Sequence, residues 1–210
     1  MSVVIIDTAY FQIINGNEIH AELIDIFDLN CFSQLVLGKM FGYLLMQRFM
    51  VALHGSSIFY HNKGIVFTGD SGAGKSTTTA QFLQMGAVFL ADDISVIGDK
   101  IPPQLFLGYP QRRLCRDAAD RFGHDVTQLY RVIDDVEKYA IPEKNYMLQA
   151  ELNAVYILTL SDSITEPILS ELTGYEKLQH FMQNIYAKSF FKEFGMSASY
   201  MKKCLNIVNQ

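Results

Sequence analysis

The chain has 210 residues, half of them hydrophobic and 19% charged, with 15 Phe and 11 Tyr, a balance that excludes wholesale disorder and fits one well-buried domain. Seventeen Lys plus Arg against 22 Asp plus Glu leave a formal charge of −5, so no global positive field draws the protein to nucleic acid or to a membrane surface. Three widely spaced cysteines, Cys31, Cys115 and Cys204, form neither a disulfide framework nor a zinc spacing, and they are read as reduced thiols of a cytoplasmic protein.

At the N-terminus no basic region precedes the first apolar residues and Asp7 interrupts them early, so no export signal is expected. Residues 3–7 and 11–14 read as two short strands, followed by the turn Asn15-Gly16-Asn17. From Ser33, taken as an N-cap, Leu37, Met40, Phe41, Leu44, Leu45 and Phe49 recur at helical spacing and predict a long core helix. Lys39, Gln47 and Arg48 interrupt the same run, which makes it a poor membrane span. Residues 56–60, the turn His61-Asn62-Lys63-Gly64 and residues 65–68 read as strand, tight turn, strand.

A glycine-rich loop follows, then a helix over 76–85 stopped by Gly86, then a strand over 87–91 that ends in Asp92-Asp93. Residues 94–97 with the turn Gly98-Asp99-Lys100 suggest another hairpin, and Pro102, Pro103, Gly108 and Pro110 mark a loop-rich middle. A short helix over 113–122, a strand over 153–160 and amphipathic helices over 175–187 and 199–208 complete the chain. With no repeat and no linker-like tract, the expectation is a single mixed α/β domain spanning 1–210.

The sharpest chemical signal is Gly69-Asp70-Ser71-Gly72-Ala73-Gly74-Lys75-Ser76, a full match to G-x-x-x-x-G-K-[ST] set between an apolar strand and a helix. A phosphate chain needs many donors close together, and glycines let the backbone curl until successive amides point inward. The helix that begins there turns its positive end toward the same anions; Lys75 can reach the β and γ oxygens, and Ser76, followed by Thr77, can offer its hydroxyl to magnesium. ATP is the expected nucleotide, with GTP as the alternative.

Asp92-Asp93 follows Lys75 by 17 residues, at the end of a strand that a crossover should return beside the starting strand and near the loop. Neighbouring residues of an extended chain point opposite ways, so one carboxylate can hold a metal while the other serves as base toward an acceptor hydroxyl. His54, ahead of Gly55-Ser56-Ser57, is a further catalytic candidate beside the plainer reading of a hydrogen-bonded core histidine. Arg112 and Arg113, in Tyr109-Pro110-Gln111-Arg112-Arg113, and Lys138 are candidate phosphate or substrate clamps, or else a solvated helix start. Tyr186, Phe190, Phe191 and Phe194 read as packing.

Taken together, Leu53-His54-Gly55, the hairpin into the phosphate loop, the helix ending at Met85-Gly86, and Leu90-Ala91-Asp92-Asp93 resemble the HPr kinase/phosphorylase-like family. That resemblance implies a mixed-sheet P-loop kinase domain of the HPr kinase C-terminal and phosphoenolpyruvate carboxykinase type, with residues 53–97 as its phosphate-binding core. It also implies Asp92 as general base, His54 as its support, Ser76 on magnesium and Asp93 as a metal or phosphate neighbour. The family's separate N-terminal domain and its Leu-Glu-x-Arg-Gly-Leu-Gly stretch have no counterpart here.

The compact outline, with Gly108-Tyr109-Pro110-Gln111, Arg113-Leu114 and Lys138-Tyr139, is more similar to relatives found with lasso-peptide biosynthesis, many of which run past the equivalent of Val208. The resemblance thus implies transfer of the γ-phosphoryl group of ATP to a serine of a peptide or small protein, by an enzyme whose relatives include oligomers. The alternatives are a kinase of free serine or another small molecule and a nucleotide-binding regulatory module that transfers nothing.

Overall fold

The computed structural model describes residues 2–6, 9–24, 29–132, 137–161, 163 and 165–210, without the side chains of residues 2–6, Cys31, Glu193 and Phe194. Asp7, the end of the first predicted strand, and the packing role read for the Phe194 side chain therefore lie outside the described residues.

The chain opens with an antiparallel meander of β1 (Ser2–Ile6), β2 (Ala9–Ile14) and β3 (Glu18–Leu23). In β2, Ala9, Phe11 and Ile13 are fully buried while Tyr10 and Gln12 point outward, the alternation of a half-buried strand. β3 is a strand the sequence reading missed, because its side chains are mostly exposed and carry no apolar alternation.

The buried face of β2 packs on a helix made of α1 (Leu29–Leu35), a π-helical turn (Val36–Met40) and α2 (Phe41–Gln47), through Met40 and Leu44. This helix starts at Leu29, ahead of Ser33, whose hydroxyl donates to the Leu29 carbonyl at 2.8 Å inside the helix and caps nothing.

β4 (Val51–Tyr60) is the organising strand. Its C-terminal half pairs with β5 (Lys63–Gly69) on one edge and with β6 (Val88–Ala91) on the other, both antiparallel, so β5 and β6 run parallel to each other with β4 between them. The crossover through α3 (Lys75–Gln84) thus carries the chain over the hairpin strand and not directly beside its start, as the sequence reading had expected. The consequence for the site is the same, since the carboxyl ends of β5 and β6 still lie at one edge of the sheet.

β7 (Ile94–Ile97) pairs with the N-terminal half of β4, and β8 (Gln104–Phe106) joins β7 to β12 (Gln149–Leu158). The turn Gly98-Asp99-Lys100 therefore does open a connection between paired strands. Between β8 and β12 in sequence, β9 (Gln111–Cys115), β10 (Tyr130–Val132) and β11 (Lys138–Pro142) build a second sheet in the order β10-β11-β9, with α4 (Arg116–Arg121) and a short 3₁₀ turn (Val126–Gln128) between β9 and β10. The middle predicted as loop-rich is thus a small ordered layer, held by Leu114, Tyr139 and Ile141 against Ala119 and against Ala80 of α3.

β12 (Gln149–Leu158) runs parallel to β5, and pairings β4–β5–β12–β8–β7–β4 close on themselves with β6 appended, a mixed sheet. α5 (Gly174–Gln183), α6 (Ser189–Phe194) and α7 (Ala198–Val208) follow.

Strand alternation puts helices on both faces. Ile58, Ile65 and Phe67 meet Phe82 and Leu83 of α3, while Leu53, Val66, Leu90 and Leu105 meet Phe181, Tyr200, Cys204 and Ile207 of α5 and α7. Each large side chain so buried contributes roughly 1.5–3 kcal/mol. Phe190 and Phe191 pack against this core, as expected. Cys115 and Cys204 are free thiols. No helix among the described residues is long and apolar enough to cross a membrane.

Candidate active site

β5 ends at Gly69, whose φ of +137° a side chain rarely adopts and where a Cβ would stand 2.3 Å from the Leu158 carbonyl oxygen. From there the loop curls through Gly72 and Gly74, at φ +83° and +93°, with open space where their side chains would be. Ser71, Gly72, Gly74, Lys75, Ser76 and Thr77 line a cavity of about 560 Å³. Gly69, Asp70 and Ala73 shape the loop from behind: the Ala73 amide donates to the Asp70 carbonyl at 3.2 Å, and the Lys75 ammonium donates to the Gly69 and Asp70 carbonyls at 2.9 Å each.

Asp92 reaches back to this loop. Its Oδ1 accepts from the Ser76 hydroxyl at 3.2 Å and from the Ser56 hydroxyl at 2.5 Å, and its Oδ2 accepts from the Arg113 amide at 2.8 Å. Asp93, held at φ +73°, turns the other way: Oδ1 lies 3.4 Å from His54 Nδ1 and Oδ2 accepts from Arg113 Nη1 at 3.2 Å. The two carboxylates do diverge, but not by the alternation expected of adjacent extended residues: the strand ends at Ala91, and the left-handed backbone at Asp93 turns its side chain away.

His54 sits where β5 leaves the edge of β4 to become the loop. Its amide donates to the Asn184 carbonyl at 2.8 Å, and Thr68 bridges the His54 carbonyl at 2.7 Å and the Asn184 side chain at 3.0 Å. Residues 184–186 take over the pairing that β5 gives up, with a Leu53–Ile185 bridge and a Tyr186 amide bond to Ala52.

Burial holds the His54 imidazole below its ordinary pKa of 6.5, with Lys75 acting the same way, against the raising effect of Asp93 and Asp92. Burial likewise lowers the Lys75 ammonium, and nearby Lys138 adds to the shift while the carboxylates oppose it. The site therefore gathers cations, Lys75, Lys138, Lys39 and Arg113, around a cavity whose acidic end is Asp92-Asp93.

Two of the basic residues singled out from sequence part company. Arg113 and Lys138 line the cavity from β9 and β11. Arg112 does not reach it: at 6% exposure it is buried, its Nε paired with Glu143 and its Nη2 3.4 Å from His124 Nε2. The cause is that residues 111–115 form a strand and not the expected helix start, so consecutive arginines face opposite ways.

Sequence reading missed Gln34, Gly38, Lys39, Ser56 and Tyr186. A π-turn, a frequent feature of functional sites, carries Gly38 and Lys39, and Gly38 approaches Arg113, Asp93 and the Tyr186 hydroxyl. Tyr186 packs against the cluster of Leu45, Ala52 and Ile94, as read, and also lines the cavity with its ring 5.8 Å from His54; Gly42 makes room for it, since a Cβ there would stand 2.3 Å from the ring. Polar interruptions at 34 and 39 of an otherwise apolar helix were the available signal for the first group; Tyr186 had none.

A nucleotide would fit this set: a glycine loop and an ammonium on the cavity wall, and a volume within the about 300–1,000 Å³ common for ligand clefts. Among the described residues no three His, Cys, Asp or Glu side chains cluster as a metal cage. Ser76 with one carboxylate would suit a magnesium ion, which binds through few protein oxygens.

No protein-family model matches the chain, and no curated protein does. Among solved structures it is similar to the Hpr(Ser) kinase/phosphatase from Coxiella burnetii, with 15% sequence identity and a TM-score of 0.38. The match covers 57% of this chain and 65% of that one, so the chain spans less than two thirds of that structure's length.

Proposed function

We propose that the protein is a phosphotransferase that moves the γ-phosphoryl group of ATP to a hydroxyl on a peptide or small protein, serine being the acceptor implied by the sequence resemblance. The observation that carries the reading is the convergence of the glycine loop, the Ser76–Asp92 contact at 3.2 Å and the His54–Asp93 pair at 3.4 Å in one cavity. A bare nucleotide-binding module has no need of a second carboxylate with its own imidazole.

In the transfer, the acceptor oxygen bonds to the γ-phosphorus as the bond from phosphorus to the β,γ-bridging oxygen breaks; ADP departs and the hydroxyl proton passes to a carboxylate. Loop amides and Lys75 hold the phosphates, and Arg113 and Lys138 add positive charge where negative charge spreads in the transition state. The chemistry magnesium supplies there, held by Ser76 and an aspartate, is neutralisation of the phosphate oxygens.

Two divisions of labour fit. In the first, Asp92 is the base, as the resemblance implies, and Asp93 serves the metal. The hydroxyl contact between Asp92 and Ser76 favours a second, in which Asp92 faces the ion and Asp93 with neutral His54 takes the proton.

Purified protein incubated with radiolabelled ATP, magnesium and serine-containing peptides tests the proposal. Acceptor-dependent ADP release with a phosphoserine product supports it. Nucleotide binding with no transfer to peptide or free serine discards it in favour of a regulatory module.

A further inference from the structure

A second cavity, of about 430 Å³, meets the first at the aspartate pair. Gln34, Asp92, Asp93 and Arg113 line both. The chemistry of the walls changes across that junction. Lysines and loop amides surround the first cavity, whereas Leu37, Phe41, Met50, Ile94, Val96 and Phe106 make the second largely apolar.

We infer that the second cavity seats the acceptor, and that the acceptor is an extended polypeptide segment with an apolar side chain next to its hydroxyl residue. The inference rests on the kinase reading above. In-line transfer requires the attacking hydroxyl to approach from the side opposite the departing ADP. With the triphosphate lying along the glycine loop, the aspartates are the groups that both a hydroxyl and the γ-phosphate can reach, and the second cavity opens onto them.

Its volume exceeds the lower bound of about 300 Å³ for a drug-sized ligand's cleft, far more than free serine fills. Its rim is half-open apolar surface, Phe41 at 44% exposure and Tyr109 at 56%, which a neighbouring apolar side chain would cover. The wall at 107–108 is pinned in place, with the Leu107 amide bound to the Leu148 carbonyl and the Gly108 amide to the Leu90 carbonyl, both at 2.8 Å.

The test uses end-capped pentapeptides. Gly-Leu-Ser-Phe-Gly should be phosphorylated with a KM about tenfold or more below that of Gly-Asp-Ser-Asp-Gly, and free serine should be the poorest acceptor. Phe41→Glu and Tyr109→Glu, both at exposed positions, should each raise the KM for the apolar peptide roughly tenfold while nucleotide affinity, measured separately, stays at the wild-type value.

A benzophenone placed on the Phe of the peptide should label residues of the second cavity on irradiation. Equal KM values for apolar and acidic peptides, or turnover of free serine as efficient as that of the peptide, overturn the inference. Transfer with the label elsewhere on the surface overturns the seat and leaves the kinase reading standing. Label in the cavity with no transfer to any acceptor supports the peptide seat and discards the kinase reading.

Discussion

His54 Nδ1 lies 3.4 Å from Asp93 Oδ1, joining the N-terminal half of β4 to the aspartate pair that follows β6. The imidazole is half-buried, and burial keeps it neutral at pH values where a free histidine begins to charge.

This sets a pH dependence with a definite sign. The folded-state pKa of His54 is below 6.5, so its contribution to stability is complete above 6.5 and drains away as pH falls through the lower folded value. The acid limb of kcat/KM should likewise fall below pH 6.5. In His54→Gln the limb should move or vanish, and the urea midpoint should decline less between pH 6.5 and mildly acidic pH than in the wild type. An unchanged profile would show that the imidazole does not titrate with activity.

Lys75 and Lys138 line the same cavity, where burial first and the nearby Lys138 charge second hold the Lys75 ammonium below its ordinary pKa. Lys75→Ala should lose nucleotide binding by tenfold to more than a hundredfold, the range of about 1.5–3 kcal/mol for a charged hydrogen-bonding group. Lys138→Met should weaken nucleotide binding less, and should move the alkaline loss of affinity upward, because the largest repulsion on Lys75 is then gone while burial remains. Calorimetric titrations between neutral pH and pH 10 read both effects.

The aspartates are separable by magnesium. If Asp92 serves the ion, Asp92→Asn should raise the magnesium concentration for half-maximal turnover by about tenfold or more, and Asp93→Asn should cut kcat about a hundredfold or more at saturating magnesium. If Asp92 is the base, the two outcomes exchange. Equal and small effects from both would remove proton transfer from the site.

Arg112 and Arg113 offer a contrast between neighbours. Arg112→Ala strands Glu143 in a buried position, and loss of one partner of a buried pair costs about 3–5 kcal/mol. Its thermal midpoint should drop with nucleotide affinity of the remaining folded protein unchanged. Arg113→Ala should leave the midpoint near wild type and lower kcat. A reversed pattern would mean that the two side chains face the other way.

The glycine loop, the helix behind it and the paired aspartates were readable because each depends on local chemistry: glycine where φ is positive, lysine and serine at fixed offsets, a strand that ends in acid. The facing of Arg112 and Arg113 was not readable, because a strand is stabilised by partners distant in sequence, here β11, and short polar strands carry little periodicity of their own.

Sequence by itself thus determined that a glycine-rich loop with its lysine and serine and two carboxylates exist and lie close along the chain. Only the tertiary structure decided which carboxylate touches Ser76, which touches His54, and that Tyr186, Gly38 and Gln34 join them. The reason is that spacing along a chain constrains contacts only across a turn or a crossover. Contacts between the π-turn, β9 and residues 184–186 arise when separate apolar faces bury against one sheet, and the side chains left at its open end become the site.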